Sequence, residues 1–417
     1  MTDSGLLDKK LGVEDGGAGR KSKKKPKGED AWRPLGPRDP FAMLDALPEK
    51  KQQEIQKALH LFALGPSPPR SLQEAERHTY RFWDTQPVRR LKDNATSHGP
   101  IVESEAGVRK DPYSLPQGFF WDTLDLNSSS VLRELCALLN DNYTEDDDNT
   151  FRHDFSPEYL QWTLQPPNWL TQWHCGVRVS ANKKLVGFIA AAPAHLRVYE
   201  TLRQMVHVKF LCVHKKLRLK RMTPVLIREV TRRVNQQGLC QAVYTAGVVL
   251  PAPLSSCRIR ERPLNVQKLM EVNYPGLKPD VSLQRALRFN RLPEVRKRCH
   301  LETPPPIQDD DGKVTDMVSF YGTAFRVLNH PIHTDLRAAH LLCAVSSVPE
   351  PTDLIEDALV LARAKGFDVF TALNVMGNTT FLTKLKFSDS EISLHYYLYN
   401  WQCPDISPDK VGIVLPS

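Results

Sequence analysis

Residues 208–230 read VKFLCVHKKLRLKRMTPVLIREV. A short apolar run, which marks a buried strand, stops against five Lys/Arg within the seven residues Lys215 to Arg221. Thr223 and Pro224 suit an N-cap and a first helical position. A helical pattern follows, with Leu226, Val230 and Val234 on one stripe and Gly238 as its stop. A helix N-terminus offers free N–H groups and the positive end of its dipole, so it binds phosphate. The basic loop ahead of it adds charge-assisted contacts. An apolar strand feeding such a turn suits a phosphorylated carrier with an apolar arm, an acyl-CoA. A basic run alone is more often a solvated loop or a nucleic-acid patch. The strand before and the Thr-Pro pair after favour phosphate, and no aromatic residues interleave as a stacking platform for bases.

Working outward, residues 173–194 (WHCGVRVSANKKLVGFIAAAPA) read as two strands around a polar turn. MVHVKFLCV is a strand, 224–236 a helix and QAVYTAGVV a strand. A second unit begins near Val314 with strand VTDMVSFY, helix DLIEDALVLARAKG, strand FDVFTALNV, short helix TTFLTKLKF and strand LHYYLYNWQ. This alternation predicts an α+β, layered fold with mixed sheets flanked by helices. Helical spacing at Ile55, Ala58, Leu59, Phe62 and Ala63 places the start of order upstream of the opening stretch.

The 417 residues exceed one ordinary domain, and the net charge is +8. Residues 1–35 read as a disordered tail whose RKSKKKPK run (20–27) suits an acidic surface, RNA or the ribosome, or serves only solubility. The N-terminus lacks a secretory apolar segment. Eight cysteines lie at no metal spacing, so reduced, mostly buried thiols in a cytosolic protein are expected and no metal. No GxSxG, HExxH or P-loop is present, so the serine-nucleophile, zinc-protease and phosphate-loop chemistries are not signalled.

FLCVHKKLRLKRMTPVLIREVTRRVN, YRFWDTQPV (80–88), DDDNTFRHDFSPEYL (146–160), WHCGVRV, YTAGVVLP (244–251) and YYLYNWQCP together resemble the glycylpeptide N-myristoyltransferases, from about Asp39 to the C-terminus. The resemblance implies a tandem pair of GNAT-like (N-acetyltransferase-like) units: 36–290 with the acyl-CoA site, 291–313 as linker, and 314–417 on the peptide side. It implies transfer of myristate from myristoyl-CoA, a co-substrate rather than a resident cofactor, to the N-terminal glycine of peptides and nascent proteins. Phe210 and Leu211 would supply oxyanion-hole N–H groups. Arg81, Phe82, Trp83, Cys212 and Val213 would line the acyl-CoA site. Leu219, Lys220, Arg221, Met222 and Thr223 would meet the CoA phosphates. Tyr143, Asp146, Asp148, Phe151, Thr245 and Tyr321 would hold the peptide, with Thr245 also at the reacting centre. The C-terminal carboxylate, here on Ser417, would be the base. A cytoplasmic monomer is implied, and the basic tail suggests ribosome or membrane association. Without the family likeness, Phe82, Trp83, Thr245 and Tyr321 would read as packing residues and EDDD (145–148) as a solvated turn.

The sequence also departs from the family pattern. Lys209 stands where Asn is usual, and a cation there would oppose the incoming ammonium. Ile259, Arg260 and Glu261, in a loop after YTAGVVLP, replace Tyr, Trp and His. SDSEIS (388–393) replaces a Gly-rich turn, His153 an aromatic and Leu219 a Ser. Several tens of residues are absent around 291–314, which would leave a sheet edge unpaired. Pro416 and Ser417 extend the tail by one residue, enough to displace its carboxylate by roughly 3.5 Å. These changes admit two readings: a transferase with impaired turnover, or a non-catalytic acyl-CoA-binding or ribosome-associated relative.

Overall fold

The computed structural model describes residues 68–417 except 94, 104–106, 144–149, 278–280, 294–306, 309–313, 329, 348–349 and 417. The basic tail, the helix expected at 55–63, Asp146, Asp148 and Ser417 therefore lie outside the described residues.

The helices are α1 (Leu72–Arg77), α2 (Ser129–Asn142), α3 (Pro157–Leu164), α4 (Met222–Asn235), α5 (Val266–Glu271), α6 (Leu283–Phe289), α7 (Pro351–Ala364) and α8 (Thr379–Leu382). The strands are β1 (Phe119–Thr123), β2 (Phe151–Asp154), β3 (His174–Val179), β4 (Leu185–Val198), β5 (Thr201–Val213), β6 (Ala242–Ala246), β7 (Ser255–Pro263), β8 (Ile307–Gln308), β9 (Val314–Val327), β10 (Asp335–Ser346), β11 (Val369–Leu373) and β12 (Ser388–Tyr399). No described helix is long and apolar enough to cross a membrane.

One mixed sheet runs β1-β3-β4-β5-β6-β12-β7-β11-β10-β9-β2, with β8 beside β9. Its order repeats a pattern. The antiparallel pair β4–β5 leads through α4 to β6, parallel to β5; the antiparallel pair β9–β10 leads through α7 to β11, parallel to β10. Each half is completed by a strand from the other: β12 seals β6, and β7 seals β11. A cut at 290 would therefore divide strands that the sheet interleaves.

SCRIRERPLN, read from sequence as a loop, is mostly strand β7. It is buried between β11 and β12, with Glu261 and Arg262 inside. Its charged residues Arg258, Arg260, Glu261 and Arg262 lie on a strand whose neighbours cover both edges, and that pairing is invisible locally. SDSEIS likewise opens β12, with an irregularity between Asp389 and Ser393. The outer edge of β9 is paired at its ends by β8 and β2, and among the described residues its middle has no neighbour there.

Helices cover both faces of the sheet. Buried side chains of α2, α3, β4 and β5 form one core cluster that contains no α4 residue. On the other face α4 lies close to β4, where a Cβ at Gly187 would stand 3.5 Å from Leu226. Leu226, Val230 and Val234, one turn apart on α4, are all buried. Gly238 adopts φ +77°, which suits glycine and ends the helix where the sequence indicated.

Candidate active site

β5 and β6 pair in parallel at only two positions, Val206 with Ala242 and His207 with Val243. β5 runs on to Val213 and β6 to Ala246, so the two strands diverge beyond His207. The wedge between them opens into a cavity of about 500 Å³, within the size range of small-molecule sites. Ile227, Val230 and Val234 of α4 wall one side, and Phe82, Trp83 and Tyr244 another, with Trp83 and Tyr244 stacked at 5.8 Å. Tyr143 and Thr245 also line it. Tyr143 packs with the α2–α3 core on the sheet face opposite α4, so the cavity extends through the splay. Among the described residues, Lys209 is the only charged residue on its lining.

At the mouth of the wedge β5 is distorted. Phe188 pairs with Cys212 and Ala190 with Lys209, so one residue of β4 faces two of β5, Phe210 and Leu211. Phe210 takes φ +51°, an uncommon and strained value for a bulky side chain. Such a bulge removes backbone N–H groups from the ladder and re-aims them. The Phe210 ring compensates by burial, 1% exposed, against Phe155 at 5.5 Å and Tyr143 at 5.6 Å.

The basic loop is a 3-10 turn, Lys215–Lys220, fastened to the end of α2. Lys215 N donates to Asn142 Oδ1 at 3.0 Å, and Arg218 Nη2 donates to the Asn142 carbonyl at 2.6 Å. His214 Nδ1 accepts from Lys216 N, and burial pushes its imidazole down to about 4. Arg221 then adopts φ +53° and launches α4 at Met222. Thr223 is therefore not the N-cap, nor Pro224 the first helical residue. The compact turn starts the helix earlier, and Thr223 and Pro224 face the cavity instead. Lys220 and Arg221 remain exposed at the helix start.

The structure gathers Phe82, Trp83, Tyr143, Phe210, Leu211, Thr223 and Thr245 on one cavity. Arg81 is exposed beside Phe82. Cys212 points away from the cavity into the α2 core, its thiol pushed up to about 12 by burial; Val213 is buried, and neither is on the lining. Tyr321 is off the cavity but joins it through rings: it stacks on Tyr159 at 6.0 Å, which stacks on Phe155, the neighbour of Tyr143. Phe151 lies farther off, against Tyr274. His153 stacks on Phe155 at 4.9 Å and is held neutral by burial, near 4, so it replaces an aromatic with a ring that behaves as one. Through Leu415 the C-terminal segment is packed: the Tyr396 hydroxyl donates to the Ile413 carbonyl at 2.9 Å, and Leu415 is buried. Tyr396 pairs with Thr245, so this segment ends near the wedge. Sequence reasoning missed the inner wall of α4 as cavity-facing. Its apolar stripe was visible, but it reads identically for a filled core.

Lys209, expected from the sequence as a cation beside the incoming ammonium, is buried and hydrogen-bonded to a single residue. It is 8% exposed, and Nζ donates to the Thr163 carbonyl at 2.9 Å and to its hydroxyl oxygen at 2.8 Å. Burial lowers its pKa to about 8 from 10.5. From about pH 8 to 10.5 the unfolded chain stays protonated while the folded chain does not, so stability rises with pH. Urea midpoints are expected to rise across that window relative to Lys209→Met. A constant difference between the two would show an ordinary, hydrated lysine.

Two family models match the chain: "Myristoyl-CoA:protein N-myristoyltransferase, N-terminal domain" over residues 101–257 and the corresponding C-terminal domain over 307–414. Residues 258–306 fall between them. The chain is 48% identical over 412 residues to glycylpeptide N-tetradecanoyltransferase 2 of Bos taurus, covering 88% of this chain and 83% of the relative. It is 48% identical over 413 residues to the Danio rerio protein of the same name, covering 89% and 84%. A solved structure of Saccharomyces cerevisiae N-myristoyltransferase with bound myristoyl-CoA matches with TM-score 0.75 at 32% identity, covering 88% of this chain and all of that one.

Proposed function

Because the chain belongs to the myristoyl-CoA:protein N-myristoyltransferase family, we propose that it transfers a tetradecanoyl group from myristoyl-CoA to the N-terminal glycine amine of proteins. The observation that carries this reading is the conjunction at β5: an apolar cavity in the β5–β6 wedge, a bulge at Phe210–Leu211 at its mouth, and a basic helix start beyond it.

In this reading the acyl chain fills the cavity against Phe82, Trp83 and α4. The CoA phosphates meet the turn from Leu219 to Thr223, with Lys220 and Arg221 adding charge to the free N–H groups of the helix start. The thioester carbonyl points at the N–H groups of Phe210 and Leu211. Donors aimed where the oxyanion develops stabilise the transition state more than the ground state. The bulge keeps them fixed, so little reorganisation is needed during reaction. The amine attacks from the side of Tyr143 and Thr245, with Tyr321 and Phe151 along the peptide. A nitrogen–carbon bond forms, the carbon–sulfur bond breaks, and the electron pair leaves on sulfur. Glycine fits because a side chain at the attacking residue would crowd the thioester. The non-catalytic alternative is not favoured, because relatives 48% identical over most of the chain are named glycylpeptide N-tetradecanoyltransferases.

Lys220→Glu combined with Arg221→Glu is expected to weaken myristoyl-CoA binding by about tenfold or more, since each charge-assisted contact contributes ~1.5–3 kcal/mol. Both side chains are exposed, so the fold should persist. Titration calorimetry giving equal affinity for the variant and the parent would remove the phosphate site from this turn.

A further inference from the structure

Resting on the acyl-transfer reading, we propose that the ε-amine of Lys209 takes the proton that the incoming α-amine releases as its nitrogen attacks the thioester carbonyl. Three observations converge on this residue. It immediately precedes the bulge whose N–H groups would hold the oxyanion, and it lies on the cavity lining with Tyr143 and Thr245. It is buried with no carboxylate partner among the described residues. Its two hydrogen bonds go to two oxygens of one residue, Thr163. A neutral amine has two N–H groups and one lone pair. Thr163 satisfies both N–H groups, which leaves the lone pair as an acceptor. An ammonium would carry a third N–H for which the described residues offer no acceptor, and a buried donor is costly to leave unpaired.

Among the described residues, the neighbouring titratable groups do not compete for the proton. His207, two residues earlier on β5, is buried and kept neutral, first by burial and then by Lys209 itself. Tyr159, one turn before Thr163 on α3, and Tyr143, at the end of α2, are both kept in the phenol form by burial. Across β4 the partner of Lys209 is Ala190. The proton balance closes within the reaction. Lys209 receives a proton as the nitrogen–carbon bond forms and returns it to the departing CoA thiolate, giving the amide and free CoA. A base works best when its pKa lies near the working pH, and burial brings Lys209 to about 8.

The test compares the full chain with Lys209→Met and Lys209→Arg, using myristoyl-CoA and a Gly-initiated peptide. Three readouts are taken: kcat at saturating peptide across about pH 6 to 9.5, acyl-CoA affinity by calorimetry, and rescue by a small primary amine. The substrate amine itself titrates near 8, so the difference between variants decides, not the parent profile alone. The Met variant is expected to lose about a hundredfold or more in kcat, with a parent-to-variant kcat ratio that falls as pH drops below about 8, and to keep acyl-CoA affinity within about twofold. Added amine should restore part of the rate. Arg keeps the charge but cannot release the proton, so it should be as slow as Met; it also carries the test alone if the Met chain fails to fold. Parent-like kcat and pH profile in either variant would overturn the proposal and place the base elsewhere, the C-terminal carboxylate included. A parent chain that binds myristoyl-CoA yet transfers nothing at any pH would instead overturn the transfer reading, and the role of Lys209 with it.

Discussion

Glu229→Ala is expected to destabilise the protein by about 3–5 kcal/mol, the range for breaking a buried ion pair from one side. Glu229 on α4 is fully buried, and four hydrogen bonds converge on its carboxylate. Arg232 donates from Nε and Nη2 at 3.0 and 2.7 Å, Arg233 Nε at 2.9 Å, and Tyr113 N at 3.1 Å. Arg232 and Arg233 are themselves each 8% exposed. They reach onward, Arg232 to the Lys110 carbonyl and Arg233 to Thr123 and the Gln172 carbonyl. Removing the carboxylate would strand two buried cations and release the 110–113 segment from the helix. Burial alone would raise the Glu229 pKa, yet the Arg232 and Arg233 hydrogen bonds hold it below the ordinary carboxylate range. Its contribution is therefore present above the unfolded value near 4.5 and fades as pH falls through the lower folded value. Urea unfolding should show a shifted midpoint with little change in slope. A loss below about 1 kcal/mol would mean that the cluster relaxes into water. Because α4 also walls the cavity, acyl-CoA affinity should fall in the same variant.

Val230→Trp is expected to abolish tight binding of myristoyl-CoA while leaving the fold intact. Val230 is 2% exposed and lies on the cavity wall, so an indole there would extend into the void rather than into packed atoms. Burying a methylene contributes about 0.8 kcal/mol, so excluding even four of them costs ~3 kcal/mol, more than a hundredfold in affinity. Shorter acyl-CoAs should lose less, which reverses the chain-length preference. If calorimetry gave the variant the parent's affinity for myristoyl-CoA, the acyl chain would lie outside the wedge. If the melting temperature collapsed, the indole would be overpacking a filled core, and the cavity would be smaller than its about 500 Å³.

Local patterning made one part of the fold legible and left another dark. The β3–β4 hairpin could be read from its apolar runs and polar turn, and α4 from its stripe. β10, with DLRAAHLLCAVS, was missed because Arg337 and His340 break up its first half, leaving no clean alternation and only the short apolar run LLCAV. β7 was missed because RIRERP looks like solvent-facing loop until β11 and β12 cover its edges. The basic turn ahead of the helix could be located, but its capping could not: a left-handed Arg221 has no sequence signature comparable to that of glycine. The site itself depends on non-local events. The wedge exists because β5 and β6 stop pairing after two residue pairs, and the bulge because β4 offers one residue against two. Neither is written in the strings that flank them. Lys209 could be located in the sequence but not understood there, since Thr163, which holds it, is 46 residues away.

The most direct test of the account is transfer of labelled myristate from myristoyl-CoA to matched peptides that begin with Gly, with Ala, or with N-acetylated Gly. The account predicts a stable amide on the Gly peptide alone, with release of one CoA thiol per label incorporated. Binding of myristoyl-CoA without label on the Gly peptide, or equal labelling of the Gly and Ala peptides, would contradict it.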